Sequence, residues 1–160
     1  MSFATLQIEG AYDVDVPTLW RHVVRYDALA RAMSGALVRV ACPAGEEQVG
    51  DDVVLVFRLF GVVPVGRWRL KVVTRDDARR RLLSEESGTF VRAWRHEVVV
   101  DALDDGRSRL TDTIEIDAGV LTPLVARFAR REYARRHRVR KRLVQTGESA
   151  NASNNRHGRA

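Results

Sequence analysis

The sequence predicts an α+β fold: a curved antiparallel sheet of about seven strands, two short helices after the first strand, and a long C-terminal helix across one sheet face. Three observations predict it. Between Phe3 and Asp117, seven segments alternate apolar and polar residues or are rich in β-branched side chains. The links between the later segments are short and carry turn residues, which implies antiparallel neighbours. From Val120 the apolar period lengthens from two residues to that of a helix, about 3.6. An apolar sheet face and an apolar helix stripe each need a partner, and here they are expected to cover one another.

The elements follow in order. Phe3–Tyr12, "FATLQIEGAY", reads as the first strand. In "DVPTLWRHVV" Asp15 suits a helix cap and Pro17 a first turn, where no backbone donor is needed. Trp20, Val23 and Val24 share one face of that helix. "YDALARAM" continues as a second short helix, stopped by Gly35 ahead of the strand "ALVRVAC". Four further strands are expected at 52–60, 65–73, 79–87 and 91–103, separated by "GVVP", "TRDDA" and "SGTF". Asp105–Gly106 favours a tight hairpin turn into the last strand, 108–117. In the final helix Leu121, Leu124, Val125, Phe128, Val139 and Leu143 are expected on the sheet-facing side, and Gly147 ends it. This divides the chain into one domain, 1–146, and a polar tail, 147–160, with the composition of disorder.

Composition narrows the function classes. The chain has 160 residues, 45% of them hydrophobic and 30% charged, as in a soluble globular domain. A single cysteine, Cys42, excludes an internal disulfide and a cysteine-built zinc site. His22 and His157 have no metal-ligand spacing, and neither metal nor cofactor is expected. No apolar run has the length of a membrane span, and no secretory signal opens the chain, so cytoplasmic residence is expected. The net charge of +6 is uneven: residues 1–119 carry 16 Lys/Arg against 19 Asp/Glu, and residues 120–160 carry 11 against 2. The basicity therefore belongs to the C-terminal segment.

The chemistry-bearing feature is a polar pair on an apolar face. Alternation in 91–103 puts Trp94, His96, Val98 and Val100 on one side, and in 108–117 it puts Leu110, Asp112, Ile114 and Ile116 on one side. With a turn at or near Asp105–Gly106, Val100 lies opposite Leu110 and His96 opposite Ile114. Asp112 is then a diagonal neighbour of His96, roughly 7–8 Å between Cα atoms. A slip of one residue would set opposite faces together. Three readings stand: two mutually satisfied core polars, a polar anchor in an apolar pocket, or an acid–base dyad in which Asp112 fixes the imidazole tautomer. No serine or cysteine nucleophile has a motif around it. Trp68 belongs to the apolar side of "VGRWRLKVV", where it can meet Trp94. Glu85 and Glu86, being adjacent, face opposite ways and make no carboxylate pair.

The arginine-dense helix "RFARREYARRHRVRKR" admits several readings. Arg127, Arg130, Arg138 and Lys141 fall on its back, as a solvated face requires. Contact with an anionic membrane surface is a second reading, and nucleic acid a third, with no motif beside the charge. Glu132, Arg135 and Arg136 fall near the apolar stripe. Glu132 is placed to pair with Arg136, and Arg135 to bend outward.

Gly88-x-Phe90, Trp94-x-His96, Leu110-x-Asp112-x-Ile114, the Arg136–His137 pair and the segment 59–68 occur in this order across residues 3–146. Together they resemble the START-related (SRPBCC) superfamily, most closely a bacterial branch found alone or fused to epimerase-like short-chain dehydrogenases. Arg135 departs from that branch, where an aromatic or apolar residue is more usual. The resemblance implies a helix-grip fold and a cavity between sheet and helix. It implies binding of a hydrophobic or amphipathic molecule such as a lipid, quinone or polyketide-like compound, with a cyclase or dehydratase as the alternative. The implied lining is Trp68, Trp94, His96, Asp112 and Ile114 from the sheet, and Leu124 and Phe128 from the helix. No catalytic residue is assigned.

Overall fold

The computed structural model describes residues 3–35, 37–60, 62–88 and 91–146. The tail 147–160, the stop at Gly147, Phe90 of the Gly-x-Phe motif and parts of two predicted turns lie outside the described residues. Strand β1 (Ala4–Tyr12) leads into α1 (Val16–Val23) and α2 (Tyr26–Met33). Six strands follow: β2 (Val38–Ala41), β3 (Asp52–Leu59), β4 (Val63–Asp76), β5 (Arg81–Gly88), β6 (Val91–Ala102) and β7 (Ser108–Asp117). Helix α3 (Thr122–Gln145) is the last element among the described residues. The order of elements is the one the sequence predicts.

All neighbouring strands are antiparallel, in the order β1-β7-β6-β5-β4-β3-β2. The two helices after β1 thus carry the chain from one sheet edge to the other. Register shifts interrupt the pairing at Phe57/Arg58, Val72/Thr74 and Glu86/Gly88, and such bulges increase local twist and bend a sheet. The Asp15 side chain accepts the Thr18 backbone N–H at 2.8 Å and caps α1, with Pro17 in the first turn.

The β6–β7 register is the one inferred from the apolar pattern, with Val100 opposite Leu110 and His96 opposite Ile114. The turn is longer than predicted. Residues 103–107 form the loop, and Asp105 (φ 66°) and Gly106 (φ 74°) take the left-handed conformation there. Burial of two apolar faces outweighs the preference of Asp-Gly for a two-residue link.

The face that α3 turns to the sheet differs from the predicted one. Thr122, Ala129, Tyr133, His137 and Arg140 are its buried residues. Leu121, Leu124 and Phe128 are exposed, the last two by 67% and 66%. At about 100° per residue, the expected stripe is centred about 120° around the helix from Tyr133. The covered face carries small and polar residues and no aliphatic stripe, so a count of apolar side chains points to the wrong flank. Arg127, Arg130, Arg138 and Lys141 are exposed as expected.

The core has two parts. One gathers α1 and α2 residues with Leu55, Leu70, Val98, Val100 and Leu110. The other gathers Leu6, Trp94, Ile114, Ile116, Ala129 and Tyr133. Trp68 packs against both. Along β6 and β7, His96 and Asp112 fall at the seam between the two parts. Among the described residues, no helix is long and apolar enough to cross a membrane.

Candidate ligand site

The seam is a chain of buried polar groups. His96 Nε2 donates to Asp112 Oδ1 at 2.6 Å. The other imidazole nitrogen, Nδ1, lies 3.4 Å from Glu86 Oε1. Glu86 also accepts from Ser84 Oγ at 2.9 Å and from Trp68 Nε1. On the far side of Asp112, His137 Nε2 approaches Oδ2 to 2.8 Å, a close contact outside good hydrogen-bond alignment. A proton on that nitrogen leaves Nδ1 to accept the Tyr12 O–H, with 2.7 Å between them. The chain therefore runs Trp68–Glu86–His96–Asp112–His137–Tyr12 across five strands and α3.

Alternation explains its position. Leu82, Ser84 and Glu86 share one face of β5, and Glu86 stands opposite Trp94 on β6. His96 stands opposite Ser84 on one side and Ile114 on the other. Tyr133, His137 and Arg140 recur at helical spacing over this face. Gly10 makes the approach of His137 possible, since a Cβ there would overlap the imidazole. Gly88 does the same for the Trp68 ring. Replacing Gly10 by alanine is expected to push His137 off Tyr12 and cost about 1–3 kcal/mol. Urea unfolding checks the loss, and the His137 ring resonances check its cause.

Burial and pairing compete throughout the site. Burial alone would depress His96, but its hydrogen bonds to Asp112 and Glu86 prevail and hold its pKa at about 9. Burial works against the Asp112 carboxylate, yet His137 and His96 keep it well below the usual range. Glu86 is lowered in the same way, chiefly by His96 against its burial. Tyr12 is pushed up to about 12 by burial. Glu47, 3% exposed in the segment after β2, is pushed up to about 8 by burial and then by the charge of Glu86.

Beside this chain lies a cavity of about 30 Å³. Its polar wall is Glu47, Ser84, Glu86, His96, Arg136 and Arg140, and its apolar wall includes Leu55, Leu70, Leu82 and Val98. Arg140 Nε and Trp94 Nε1 are buried without a hydrogen-bond partner among the described residues. A larger depression, about 510 Å³, opens on the outer sheet face among charged residues such as Asp52, Arg69, Lys71 and Glu85. Most of its lining is charged and solvated, but Glu86 and Trp94 also border it, so it reaches one end of the buried chain. Among the described residues, no three His, Cys, Asp or Glu are grouped to hold a metal ion.

Five of the seven residues expected to line the site come together. Trp68 meets Trp94 edge-on with 5.3 Å between ring centroids, and Trp94 stacks on Tyr133 at 6.3 Å. His96 and Asp112 are bonded, and Ile114, fully buried, lies directly across from His96. Leu124 and Phe128 stand apart from it on the outer surface, for the reason given by the orientation of α3. Glu47, Ser84, Glu86, Tyr12, Tyr133 and Arg140 were not anticipated. The alternation of β5 held a signal for Glu86, and the spacing 133-137-140 held one for the helix. Glu47, in an irregular segment, had none.

Glu132 binds Arg136 at 3.2 Å, as its spacing predicts, and Arg136 lies over the Tyr133 ring at 4.4 Å. Arg135 turns to α2, where its guanidinium donates to the carbonyls of Ala32, Met33 and Ser34 and binds Glu132. It thus neutralises the negative end of α2.

Solved structures share the architecture at low identity. A protein of Chromobacterium violaceum, CV1439, superposes with a TM-score of 0.71 at 11% identity, covering 88% of this chain and 96% of its own. The Zhui aromatase/cyclase of Streptomyces sp. R1128 gives 0.66 at 13% identity, covering 90% and 94%. Ara h 8.0201 gives 0.69 at 15% identity, covering 91% and 99%. The fold these structures share with the chain is therefore the helix grip, a curved antiparallel sheet with a long C-terminal helix across it. No curated protein matches the chain. Residues 11–144 match the family described as a domain of unknown function, DUF8410, and the chain belongs to that family.

Proposed function

We propose that the domain binds a hydrophobic or amphipathic small molecule between the sheet and α3, with its polar group seated against Glu86, His96 and Arg140. One observation carries this reading: a buried chain of ionised groups faces a cavity whose other walls are apolar. Buried ion pairs are often no more stabilising than apolar side chains of similar volume, so their presence here fits a role in orienting a ligand. The unpartnered Arg140 Nε supports the same reading, as does the likeness in fold to a protein named as an aromatase/cyclase.

The cavity of about 30 Å³ holds roughly one water, whereas ligand pockets measure about 300–1,000 Å³. Binding therefore requires the α2–α3 side to yield. Met33 and Arg136, two long flexible side chains, line the cavity on that side. Native mass spectrometry of the purified chain is expected to reveal a small-molecule adduct that His96→Ala weakens. A bare mass in every preparation, with no binding of the apolar dye anilinonaphthalene sulfonate, would rule the reading out.

The bonded pair His96–Asp112 favours a second reading, an enzyme of cyclase or dehydratase type. There His96, held protonated by two carboxylates, acts as the acid toward a substrate oxygen. In that case His96→Ala abolishes turnover and leaves binding largely intact.

A further inference from the structure

The exposed apolar side chains gather at one end of the molecule. Trp68 of β4 stands opposite Gly88, Gly88 opposite Val91, and Ala93 opposite Asp117. Ala4, at the start of β1, stands opposite Ile116. The β3–β4 link, the start of β1 and the junction of β7 with α3 therefore share one pole of the sheet. Eleven large hydrophobic residues are exposed among the described residues. Only Val49 and Val54 lie away from this pole. Phe60 (70% exposed), Val62 and Val63 stand on the β3–β4 link, with Leu37 beside them through the Phe60 N–H to Leu37 C=O bond. Val120 and Leu121 stand on the turn before α3, Leu124 and Phe128 on its first turns, and Phe3 on the approach to β1.

The charge at this pole is basic. Arg127, Arg130 and Arg131 are exposed on the same turns of α3, and Arg39, Arg67 and Arg92 on the adjoining strands. From 117 to 131 the sole acidic residue is Asp117, which is buried and accepts the Gly119 N–H at 2.8 Å. Leu124, Arg127, Phe128 and Arg131 lie within about 100° of one another around the helix.

We propose that this apolar, arginine-flanked pole is a docking face for an anionic lipid bilayer, with Leu124, Phe128 and the β3–β4 link entering the headgroup boundary and the arginines meeting lipid phosphates. Apolar burial and basic charge each contribute to interfacial binding. Nucleic acid is a poorer fit, because phosphate contacts leave Leu124, Phe128, Phe60 and Val62 exposed to water. The inference stands independently of the ligand proposed above, since none of these apolar residues lines the cavity.

Co-sedimentation of the full chain with vesicles tests it. The wild type is expected to bind mixed phosphatidylcholine–phosphatidylglycerol vesicles, more weakly at high salt, and to bind pure phosphatidylcholine poorly. Leu124→Glu with Phe128→Glu should weaken binding about tenfold or more. Val62→Glu, on a separate element, should weaken it in the same direction, so the result does not depend on one helix folding normally. Arg127→Glu with Arg130→Glu should act on the anionic vesicles alone. The proposal is overturned if the wild type ignores anionic vesicles, or if both apolar variants bind them as the wild type does. Salt-sensitive binding of duplex DNA without vesicle binding also overturns it. So does a dimer that Leu124→Glu dissociates in a chain that leaves vesicles unbound.

Discussion

Asp112→Ala is expected to destabilise the fold by about 3–5 kcal/mol, the usual cost of removing one partner from a buried ion pair. Asp112 is 2% exposed and lies between two imidazoles, His96 at 2.6 Å and His137 at 2.8 Å. Without it His96 keeps one carboxylate, Glu86 at 3.4 Å, and His137 faces a void. The damage should pass along the chain to Tyr12, whose hydroxyl loses its fixed acceptor if His137 turns. Urea unfolding with two probes measures the loss. Asp112→Asn, which keeps volume and one acceptor, should cost less. A change below about 1 kcal/mol for the alanine variant would show that the chain is an ornament of the core and not its support.

Stability should also fall as pH rises from 6.5 to 9. His96 holds its proton more tightly in the folded chain, with a pKa of about 9 against an ordinary 6.5. Its contribution is complete below pH 6.5 and disappears as pH passes 9. Glu47 acts in the same sense, raised from 4.5 to about 8, so its contribution is complete below pH 4.5 and lost through pH 8. Asp112 and Glu86 are held low and contribute fully above the ordinary carboxylate range, losing this only in acid. His22, lowered to about 4 by burial, adds to the acid side, because its neutral form is the folded one. A loss on the order of 1–3 kcal/mol across the alkaline window is expected. Urea midpoints at pH 6.5 and 9 check it, and His96→Gln should flatten the difference. Equal midpoints for the wild type would contradict the account.

The architecture was legible because its signals are local and repeated. Seven alternating segments and short links allow few antiparallel arrangements, and the two apolar sets of β6 and β7 coincide in only one parity. That parity sets His96 beside Asp112 whatever the length of the turn between the strands. The partners of this pair were less legible because they come from distant elements. Tyr12 and His137 are 125 residues apart and Glu86 belongs to a third strand. A polar residue carries no mark of burial until its partner is known, so nothing in the sequence sets Tyr133 and Arg140 apart from the solvated Arg127, Arg130, Arg138 and Lys141. Leu124 and Phe128 misled for the converse reason. They are apolar yet exposed, and the surface they form is a property of the whole pole.

The placement of β1 bears on how the chain is made. Its sheet partner is β7, so Ala4 waits for Ile116 and Tyr12 for Ser108, and Tyr12 must then wait for His137. Strands β2 to β7 pair with sequence neighbours and can zip as they are synthesised, whereas β1 closes a loop of about a hundred residues, a slow step by topology alone. The first strand of the domain to be made is therefore the last to be secured. Until α3 has left the ribosome, the free edge of β7 and the half-built seam stay open to solvent and to chaperones.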